Sequence, residues 1–340
     1  MVDIQENISL NPYSTFHTEH IARYFALAQT KEDIPELLAF ARKKNIPFHI
    51  VGEGSNTLFK DNLVNKLIIQ IQESYIRIRE TKGSETYIDI GAGTRWDEVV
   101  AWSVQKNLIG IESLSGIPGT AGAAPIQNIG AYGQEIRDTL TTVSAYDTKE
   151  NKFVSIPNSE CGFGYRTSIF KEADRGKYII IALTLQLRSE LPHIPTYPDI
   201  QDYFNQQSIL HPTLLQIRDA ILLTRSQKLP NPNIIPNVGS FFKNPIITTT
   251  HAQELQKRYP HIKLFPINEA QTKVPAGWLI EQCGLKGSTI GPVGIYEKNA
   301  LILTNNGGAT FDDIMYAKDT IVKKVFGMFE ITLEMEPDCV

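Results

Sequence analysis

The chain has 340 residues, of which 42% are apolar and 21% are charged, and its formal net charge is −4 at pH 7. These values are ordinary for a soluble globular enzyme with two or three domains. Lys and Arg are scattered along the chain, which argues against nucleic acid or an anionic membrane as the main partner. The N-terminus lacks the basic-then-apolar layout of a signal peptide. The 3 cysteines are widely spaced and suit neither a disulfide framework nor a zinc pattern. We therefore expect a cytoplasmic protein without a metal site.

Strand-like and helix-like patterns alternate between residues 20 and 110. The predicted strands are 48–51 and 87–90. The predicted helices carry apolar residues at helical spacing, and these are Ile34, Leu37, Leu38 and Ala41 in one helix, and Trp96, Val99, Val100 and Val104 in the other. Thr94 is the predicted N-cap of the second helix.

The rest of the chain is divided by two proline-rich stretches, 191–198 and 229–236, which are predicted loops. Between them, a helix is predicted over 213–226. Near the end, Thr310 is predicted to begin a helix that Gly327 ends. Residues 331–336 alternate apolar and polar, which predicts a half-buried strand with both of its carboxylates on the polar face. The whole pattern indicates a mixed α+β protein in three parts.

Two glycine-rich segments are candidates for binding an anion. The first glycine tract is Gly52-Glu53-Gly54-Ser55-Asn56 and follows a predicted strand. Glycines there let backbone amides turn toward an anion, and Ser and Asn add donors. An ordinary tight turn explains this tract equally well. It lacks the Gly-Lys-[Ser/Thr] of a P-loop, and Gly91-Ala92-Gly93 lacks the third glycine of a dinucleotide fingerprint.

The second glycine tract covers residues 116–133 and is rich in small residues without apolar periodicity. Such a composition indicates close approach of the backbone to something large and flat. The alternative is a glycine-rich structural loop.

Three segments in this order, namely the first glycine tract, residues 162–168 (GFGYRTS) and residues 239–245 (GSFFKNP), resemble the UDP-N-acetylenolpyruvoylglucosamine reductase (MurB) family, type I. The resemblance extends over nearly the whole chain. It implies an α+β fold with a two-lobed FAD-binding domain of the vanillyl-alcohol oxidase/p-cresol methylhydroxylase type and a third, substrate-binding domain. The implied boundaries are 1–72 for the first lobe, 73–228 for the second lobe, completed by a strand at 330–340, and 229–329 for the third domain.

The resemblance also implies the reaction. NADPH reduces a non-covalently bound FAD, and hydride from flavin N5 then reduces the enolpyruvyl group of UDP-N-acetylenolpyruvoylglucosamine, giving the lactyl ether of UDP-N-acetylmuramate for peptidoglycan. NADPH and the UDP-sugar are the implied partners, with no nucleic acid or membrane, and the protein is expected to be a monomer.

The resemblance assigns three catalytic residues. Arg166 and Glu336 would stabilise the enolate, Glu336 as a protonated donor, and Ser240 would give the proton to carbon. Considered without its motif, each residue also has an ordinary explanation. Arg166 could form a surface ion pair, Glu336 could lie on a solvated strand face, and Ser240 could belong to a turn. Pro337 replaces the β-branched residue usual in the family, which leaves open whether Glu334 or Glu336 is the catalytic carboxylate.

The other implied site residues fall into two sets. Residues that hold FAD are Gly52, Glu53, Gly54, Ser55, Asn56, Gly116, Gly119, Thr120, Gly122, Ala123, Gln127, Asn128, Gly130, Ala131, Tyr132 and Gly133. Residues that bind substrate are Tyr165, Tyr197, Arg225, Lys228, Asn244 and Gln282. Glu53 stands where many relatives carry Gly. Arg225 and Lys228 could instead satisfy the end of a helix, and Asn244 and Gln282 could be structural.

Two other functions remain to be considered. A flavin oxidase of the same two-lobed superfamily would use oxygen, but such enzymes often tether FAD through His or Cys, and neither residue occurs in the two tracts. A nucleotide-binding module without redox activity would leave Arg166, Ser240 and Glu336 unexplained together.

Overall fold

The computed structural model describes residues 2–340, which divide into two compact units. Unit 1 comprises the residues up to Ile8, Ile21–Glu53 and Asn65–Ser226, and unit 2 comprises Ser9–His20, Gly54–Val64 and Gln227–Val340. The predicted division into three parts, with boundaries after residues 72 and 228, is not tested by these units and stays a prediction.

The α-helices of residues 2–340 are, in chain order, α1 (Asp33–Lys44), α2 (Trp96–Gln105), α3 (Pro198–Gln206), α4 (Leu214–Lys228), α5 (Thr249–Arg258), α6 (Ala276–Gln282) and α7 (Phe311–Phe329). The strands are β1 (Ile4–Ser9), β2 (Ile21–Ala28), β3 (Phe48–Val51), β4 (Thr57–Leu58), β5 (Leu63–Ile71), β6 (Ile76–Lys82), β7 (Glu85–Gly91), β8 (Gly130–Ala131), β9 (Gln134–Glu135), β10 (Leu140–Asp147), β11 (Lys152–Pro157), β12 (Tyr178–Arg188), β13 (Asn237–Ser240), β14 (Ile246–Thr248), β15 (Phe265–Pro266), β16 (Gln271–Lys273), β17 (Thr289–Ile290), β18 (Val293–Ile295), β19 (Ile302–Asn305) and β20 (Asp338–Cys339).

Unit 1 contains a four-stranded sheet in the order β1-β2-β5-β3 and a five-stranded sheet in the order β11-β10-β12-β7-β6. The strands β3 and β5 are parallel, whereas neighbours in the five-stranded sheet are antiparallel. The helix α1 packs its predicted apolar face into the core of the four-stranded sheet. The helix α2 does the same for the five-stranded sheet, and α3 and α4 form a third, smaller core.

The predicted N-cap of α2 is wrong. Arg95 occupies that position and makes no side-chain cap. Thr94 instead pairs with a neighbouring segment, because its hydroxyl accepts from Tyr75 N at 3.1 Å and donates to Tyr75 O at 3.2 Å. Packing rather than an N-cap therefore stabilises the start of α2. Trp96, Val99 and Val100 are buried, and burial of each such side chain stabilises the fold by roughly 1.5–3 kcal/mol relative to an exposed position.

Unit 2 contains a four-stranded sheet, β13-β19-β18-β17, a three-stranded sheet, β14-β16-β15, and the parallel pair β20-β4. A large core lies between these strands and the helices α5, α6 and α7. Thr310 begins α7 as predicted, in a capping box with Asp313. Gly327 does not end this helix, which continues to Phe329. Phe329 is buried against Trp278 and Tyr259, and this packing offsets the roughly 1 kcal/mol cost of a helical glycine.

Within residues 2–340, no helix is both long and apolar enough to cross a bilayer. In the same range, no group of three or more His, Cys, Asp and Glu side chains is placed to hold a metal ion.

Candidate functional site

The two glycine tracts meet in unit 1 directly after β3. A Cβ atom added to Gly52 would lie 3.0 Å from Thr120 Oγ1 and 3.8 Å from the side chain of Ala123, so a larger residue here would require the Thr120 side chain to shift. Glu53 also connects the two tracts, since its Oε2 accepts a hydrogen bond from Gly119 N at 2.8 Å. The predicted association of these two segments is therefore present.

Backbone hydrogen bonds hold the second tract against the turn that follows β7. Gly122 N donates to Ala92 O at 2.9 Å, Ala121 N donates to Thr94 O at 2.8 Å, and Trp96 N donates to Gly119 O at 2.9 Å. A Cβ atom on Gly122 would come within 2.8 Å of Ala92 Cβ. The small residues of this tract thus let two stretches of backbone lie unusually close together.

Asn128 joins the second tract to the segment 162–168. It is fully buried, and its φ of 49° lies in the left-handed region that Asn tolerates. Its Nδ2 donates to Glu135 Oε2 at 2.9 Å and to Gly164 O at 3.0 Å, and its Oδ1 accepts from Arg137 N at 3.2 Å. The side chain is a structural connector rather than a free ligand donor.

Arg166 lies beside the second tract in unit 1. Its Nη2 donates to Gly130 O, in the short strand β8, at 3.0 Å, and its guanidinium is 5.5 Å from the ring centroid of Tyr165. Its φ of 55° is uncommon for a residue other than glycine. Two further bonds anchor the segment, from Ser168 Oγ to Ile126 O at 2.6 Å and from Lys171 Nζ to Gln127 Oε1 at 3.2 Å.

A bidentate ion pair holds the start of the second tract. Both carboxylate oxygens of Asp97 are 2.7 Å from Arg218, and Oδ1 also accepts from Gly116 N at 2.6 Å. Burial acts to raise the pKa of Asp97, but the hydrogen bonds from Arg218 and Gly116 outweigh it, and the pKa lies below its ordinary value. Asp97 is therefore a carboxylate that fixes Gly116 in place.

Three predicted ligand-binding residues of unit 1 lie near one another. Tyr132 and Tyr197 form an edge-to-face pair with ring centroids 5.3 Å apart. Arg225 lies against Gly116, where an added Cβ atom would be 3.2 Å from its Nε. Burial lowers the pKa of Arg225, while the nearby Tyr132 and Asp97 act in the opposite direction. Arg225 is packed inside the unit and does not cap the end of α4, which runs on to the exposed Lys228.

Ser240 and Glu336 are brought together in unit 2. Ser240 ends β13, opposite Ile302 of β19. The next residue, Phe241, accepts a hydrogen bond from Glu336 N at 2.9 Å, and Phe242 forms an antiparallel bridge with Met335. Glu336 is therefore aligned with the residue after Ser240, and it is only 8% exposed.

The strand predicted over residues 331–336 is wrong, since the structure assigns no strand to them and only Met335 makes an isolated bridge. The shared polar face expected for the two carboxylates is wrong as well. The Glu334 side chain is 74% exposed and lies 3.3 Å from Lys243 Nζ, whereas Glu336 is buried. The alternation holds for Ile331 and Leu333, which are buried. It breaks at Met335, because residues 335–336 bond to the segment 241–242 and the chain then pairs β20 with β4. The two carboxylates thus have different surroundings, and only Glu336 lies against the segment that carries Ser240.

Asn244 and Gln282 are not brought together. Asn244 Oδ1 accepts from Ala276 N at 2.9 Å at the beginning of α6, and Gln282 is the exposed last residue of the same helix. At 1.5 Å per residue, these two ends are roughly 9 Å apart. A structural role accounts for the hydrogen bond of Asn244.

The remainder of the first tract belongs to unit 2. Gly54 has a φ of 68° and packs against the backbone of Tyr13 and Ser14, so that a Cβ atom would not fit. Asn56 O accepts from Asp338 N at 2.9 Å, and Asn56 Nδ2 donates to Glu336 O at 3.5 Å. The tract therefore leads directly to the buried carboxylate.

Sequence reasoning missed three groups. Arg95 Nε lies 2.8 Å from Glu53 Oε1, and Arg218 supports Asp97. The Ser14 hydroxyl is buried without a hydrogen-bond partner among the described residues. Neither ion pair leaves a sequence signal, since the partners are far apart along the chain, and a serine in a loop is ordinary.

The fold and the paired glycine tracts define an FAD-binding protein of the α+β class, and the comparisons agree. Residues 22–152 match a family model described as an FAD binding domain. Residues 230–340 match the one described as UDP-N-acetylenolpyruvoylglucosamine reductase, C-terminal domain.

Curated relatives match nearly the whole chain. The UDP-N-acetylenolpyruvoylglucosamine reductase of Pseudomonas aeruginosa is 37% identical, over 99% of this chain and 99% of its own length. That of Flavobacterium johnsoniae is also 37% identical, over 98% and 99%. The crystal structure of the reductase (MurB) from Thermus caldophilus is similar with a TM-score of 0.68, covering 100% of this chain and 98% of that one at 22% identity. The chain belongs to the UDP-N-acetylenolpyruvoylglucosamine reductase family, which confirms the resemblance and the expected fold class.

The residues present fit FAD. Added Cβ atoms at Gly52 and Gly122 would crowd Thr120 and Ala92, and the closely packed backbone of such glycine tracts suits the binding of a diphosphate. Buried hydroxyls are nearly always hydrogen bonded, so the unsatisfied Ser14 hydroxyl beside Gly54 suits a polar ligand at this loop.

Proposed function

We propose that this chain is an NADPH-dependent flavoenzyme that reduces the enolpyruvyl group of UDP-N-acetylenolpyruvoylglucosamine to the lactyl ether of UDP-N-acetylmuramate. The observation that carries the proposal is the alignment of the buried Glu336 with the segment that follows Ser240. A glutamate is rarely buried unless it has a specific partner. The family membership supplies the substrate, because the relatives are named for this reductase activity.

The two glycine tracts hold the FAD, the first with the amides and side chains of residues 52–56 and the second with residues 116–133. When bound, FAD supplies hydride, taken from NADPH, to the enolpyruvyl double bond. Neither tract contains His or Cys, so the cofactor is held without a covalent link.

Ser240 donates the proton that completes the reduction. A serine hydroxyl is a weak acid, but the carbon of an enolate is a strong base, and transfer is feasible when the geometry is fixed. The backbone around Ser240 is fixed, because it pairs with Ile302 on one side and Phe241 N donates to Leu301 O at 2.8 Å.

Arg166 and Glu336 stabilise the negative charge that develops on the substrate carboxylate. The planar guanidinium of Arg166 suits a carboxylate, and its bond to Gly130 O orients it in advance. Glu336, in its buried position, acts as a hydrogen-bond donor in its protonated form. Removal of a preorganised group of this kind typically lowers the rate by ~10²–10³-fold.

The substrate contacts are assigned to Tyr165, Tyr197, Arg225, Lys228, Asn244 and Gln282, with Tyr197 at the UDP end. The protein acts as a cytoplasmic monomer, and NADPH and the UDP-sugar are its only reaction partners.

The absorbance spectrum of the purified protein tests the proposal. Under anaerobic conditions, NADPH should bleach the flavin bands, and UDP-N-acetylenolpyruvoylglucosamine should restore them in stoichiometric amount. Recovery with oxygen alone, and none with the UDP-sugar, would identify an oxidase instead. A protein that is colourless and takes up no FAD would refute any flavin-dependent function.

A further inference from the structure

Glu53 places a negative charge where the two glycine tracts meet. Its Oε2 accepts from Gly119 N at 2.8 Å, and its Oε1 is 2.8 Å from Arg95 Nε. The Glu53 side chain is 28% exposed and that of Arg95 is 66% exposed. A carboxylate beside a loop that binds a diphosphate needs a physical reason, because like charges repel.

Both of the peptide groups that flank the Cα atom of Gly119 are held. Its N–H is bound by Glu53, and its carbonyl accepts from Trp96 N at 2.9 Å. Gly119 has a φ of 109°, which L side chains rarely adopt. A Cβ atom added to Gly52 would lie only 3.0 Å from Thr120 Oγ1, so the two tracts are close together here. Glu53 therefore fixes the spacing of the two tracts as well as the direction of one amide.

Arg95 offsets the charge of this carboxylate. It is the residue before α2, and it also bridges to Thr120 through its backbone. In this position it neutralises Glu53 without replacing Glu53 as the hydrogen-bond acceptor of Gly119. The two residues therefore have separable effects, one on geometry and one on charge.

We propose that Glu53 is a positioning residue for FAD, which locks the two glycine tracts at the spacing that the diphosphate requires, and that Arg95 prevents the Glu53 carboxylate from repelling this diphosphate. The inference rests on the proposed function only in that FAD is the ligand.

The test measures the dissociation constant of FAD for apoprotein by quenching of flavin fluorescence. Glu53→Ala removes both the bond and the charge, and should weaken binding about tenfold or more, as expected for a charge-assisted hydrogen bond. Glu53→Gln keeps an oxygen acceptor for Gly119 and should stay within about threefold of the parent.

Arg95→Ala gives the decisive comparison, because its effect should depend on the charge at position 53. In the parent it should weaken FAD binding by about three- to tenfold, and added NaCl should reduce the loss by screening the repulsion. In the Glu53→Gln background it should change binding less than about twofold, a coupling that a double-mutant cycle measures.

The control is Lys82→Ala, which breaks an exposed ion pair with Glu80 in the same unit and should leave FAD binding unchanged. Equal losses from Arg95→Ala in both backgrounds would mean that Arg95 contacts the phosphates directly, and would overturn the inference. Parent-like affinity in Glu53→Ala would overturn it too, while the proposed function would stand. If the parent apoprotein itself binds no FAD, the proposed function fails.

Discussion

Replacing each of the two neighbouring carboxylates by its amide separates a catalytic role from a surface role. Glu334 is 74% exposed and pairs with Lys243 at 3.3 Å, and exposed pairs of this kind contribute between about 0 and 1 kcal/mol. Glu334→Gln should therefore lower stability by less than ~0.5 kcal/mol and leave turnover near that of the parent. Glu336→Gln keeps the size of the buried side chain but removes its acidic proton, and should lower turnover by ~10²–10³-fold.

Anaerobic stopped-flow measurement of flavin reoxidation in a single turnover is the assay, with FAD content and thermal unfolding recorded for both variants. Both variants should contain as much FAD as the parent. Slow flavin reoxidation in Glu336→Gln would then reflect a slower chemical step rather than loss of the cofactor. A parent-like Glu336→Gln beside an inactive Glu334→Gln would move the role to Glu334. Two parent-like variants would place the third catalytic group elsewhere in the chain.

Three other variants and one treatment test the site. Ser240→Ala should leave bleaching by NADPH near the parent rate and slow reoxidation by the UDP-sugar by orders of magnitude, and equal slowing of both steps would contradict the proton-donor role. Asn128→Ala should lower the free energy of unfolding by about 2–4 kcal/mol, because it abolishes three buried hydrogen bonds, and a loss under ~0.5 kcal/mol in urea titration would refute the connector role. The Asp97 carboxylate has a folded pKa below its ordinary 3.8, so its stabilisation is complete above that value and is lost as the pH falls through the folded pKa. Asp97→Asn should thus be less stable than the parent at pH 7 and approach it as the pH falls through the folded pKa of Asp97, and a stability difference that does not change with pH would argue against the linkage. Precipitation by acid should leave the yellow colour in solution, and colour in the pellet would indicate a covalent link.

Local patterns predicted the elements well. The apolar faces of α1 and α2 are buried as expected, because helical spacing by itself puts these residues on one side. The predictions that are wrong concern residues whose structure is determined by contacts with a distant segment of the chain. Thr94 bonds to Tyr75 rather than to its own helix, and Phe329 draws α7 past Gly327.

The predictions about the candidate site are limited in the same way by contacts between distant segments. Its motifs are readable because the residue types are unusual in combination, and the structure brings the two tracts together. The sequence could not show that Glu334 is exposed and Glu336 buried, since that depends on the bridge between Met335 and Phe242. The sequence also could not show that Glu53 accepts a hydrogen bond from Gly119, because the two residues are 66 positions apart along the chain. The catalytic and ligand-binding roles themselves stay predictions.

The make-up of unit 2 from three separated segments has a consequence for folding during synthesis. Leu58 and Lys60 exchange backbone hydrogen bonds with Val340, so this unit cannot be completed until the ribosome has released residues almost 300 positions further on. Long-range closures of this kind are slow. Most of unit 1 is continuous, from Asn65 to Ser226, and it can fold while the rest is still being made. Residues 9–20 and 54–64, which include buried apolar side chains such as Phe16 and Phe59, meanwhile remain exposed. We therefore expect chaperones to bind the nascent chain at this stage of its synthesis.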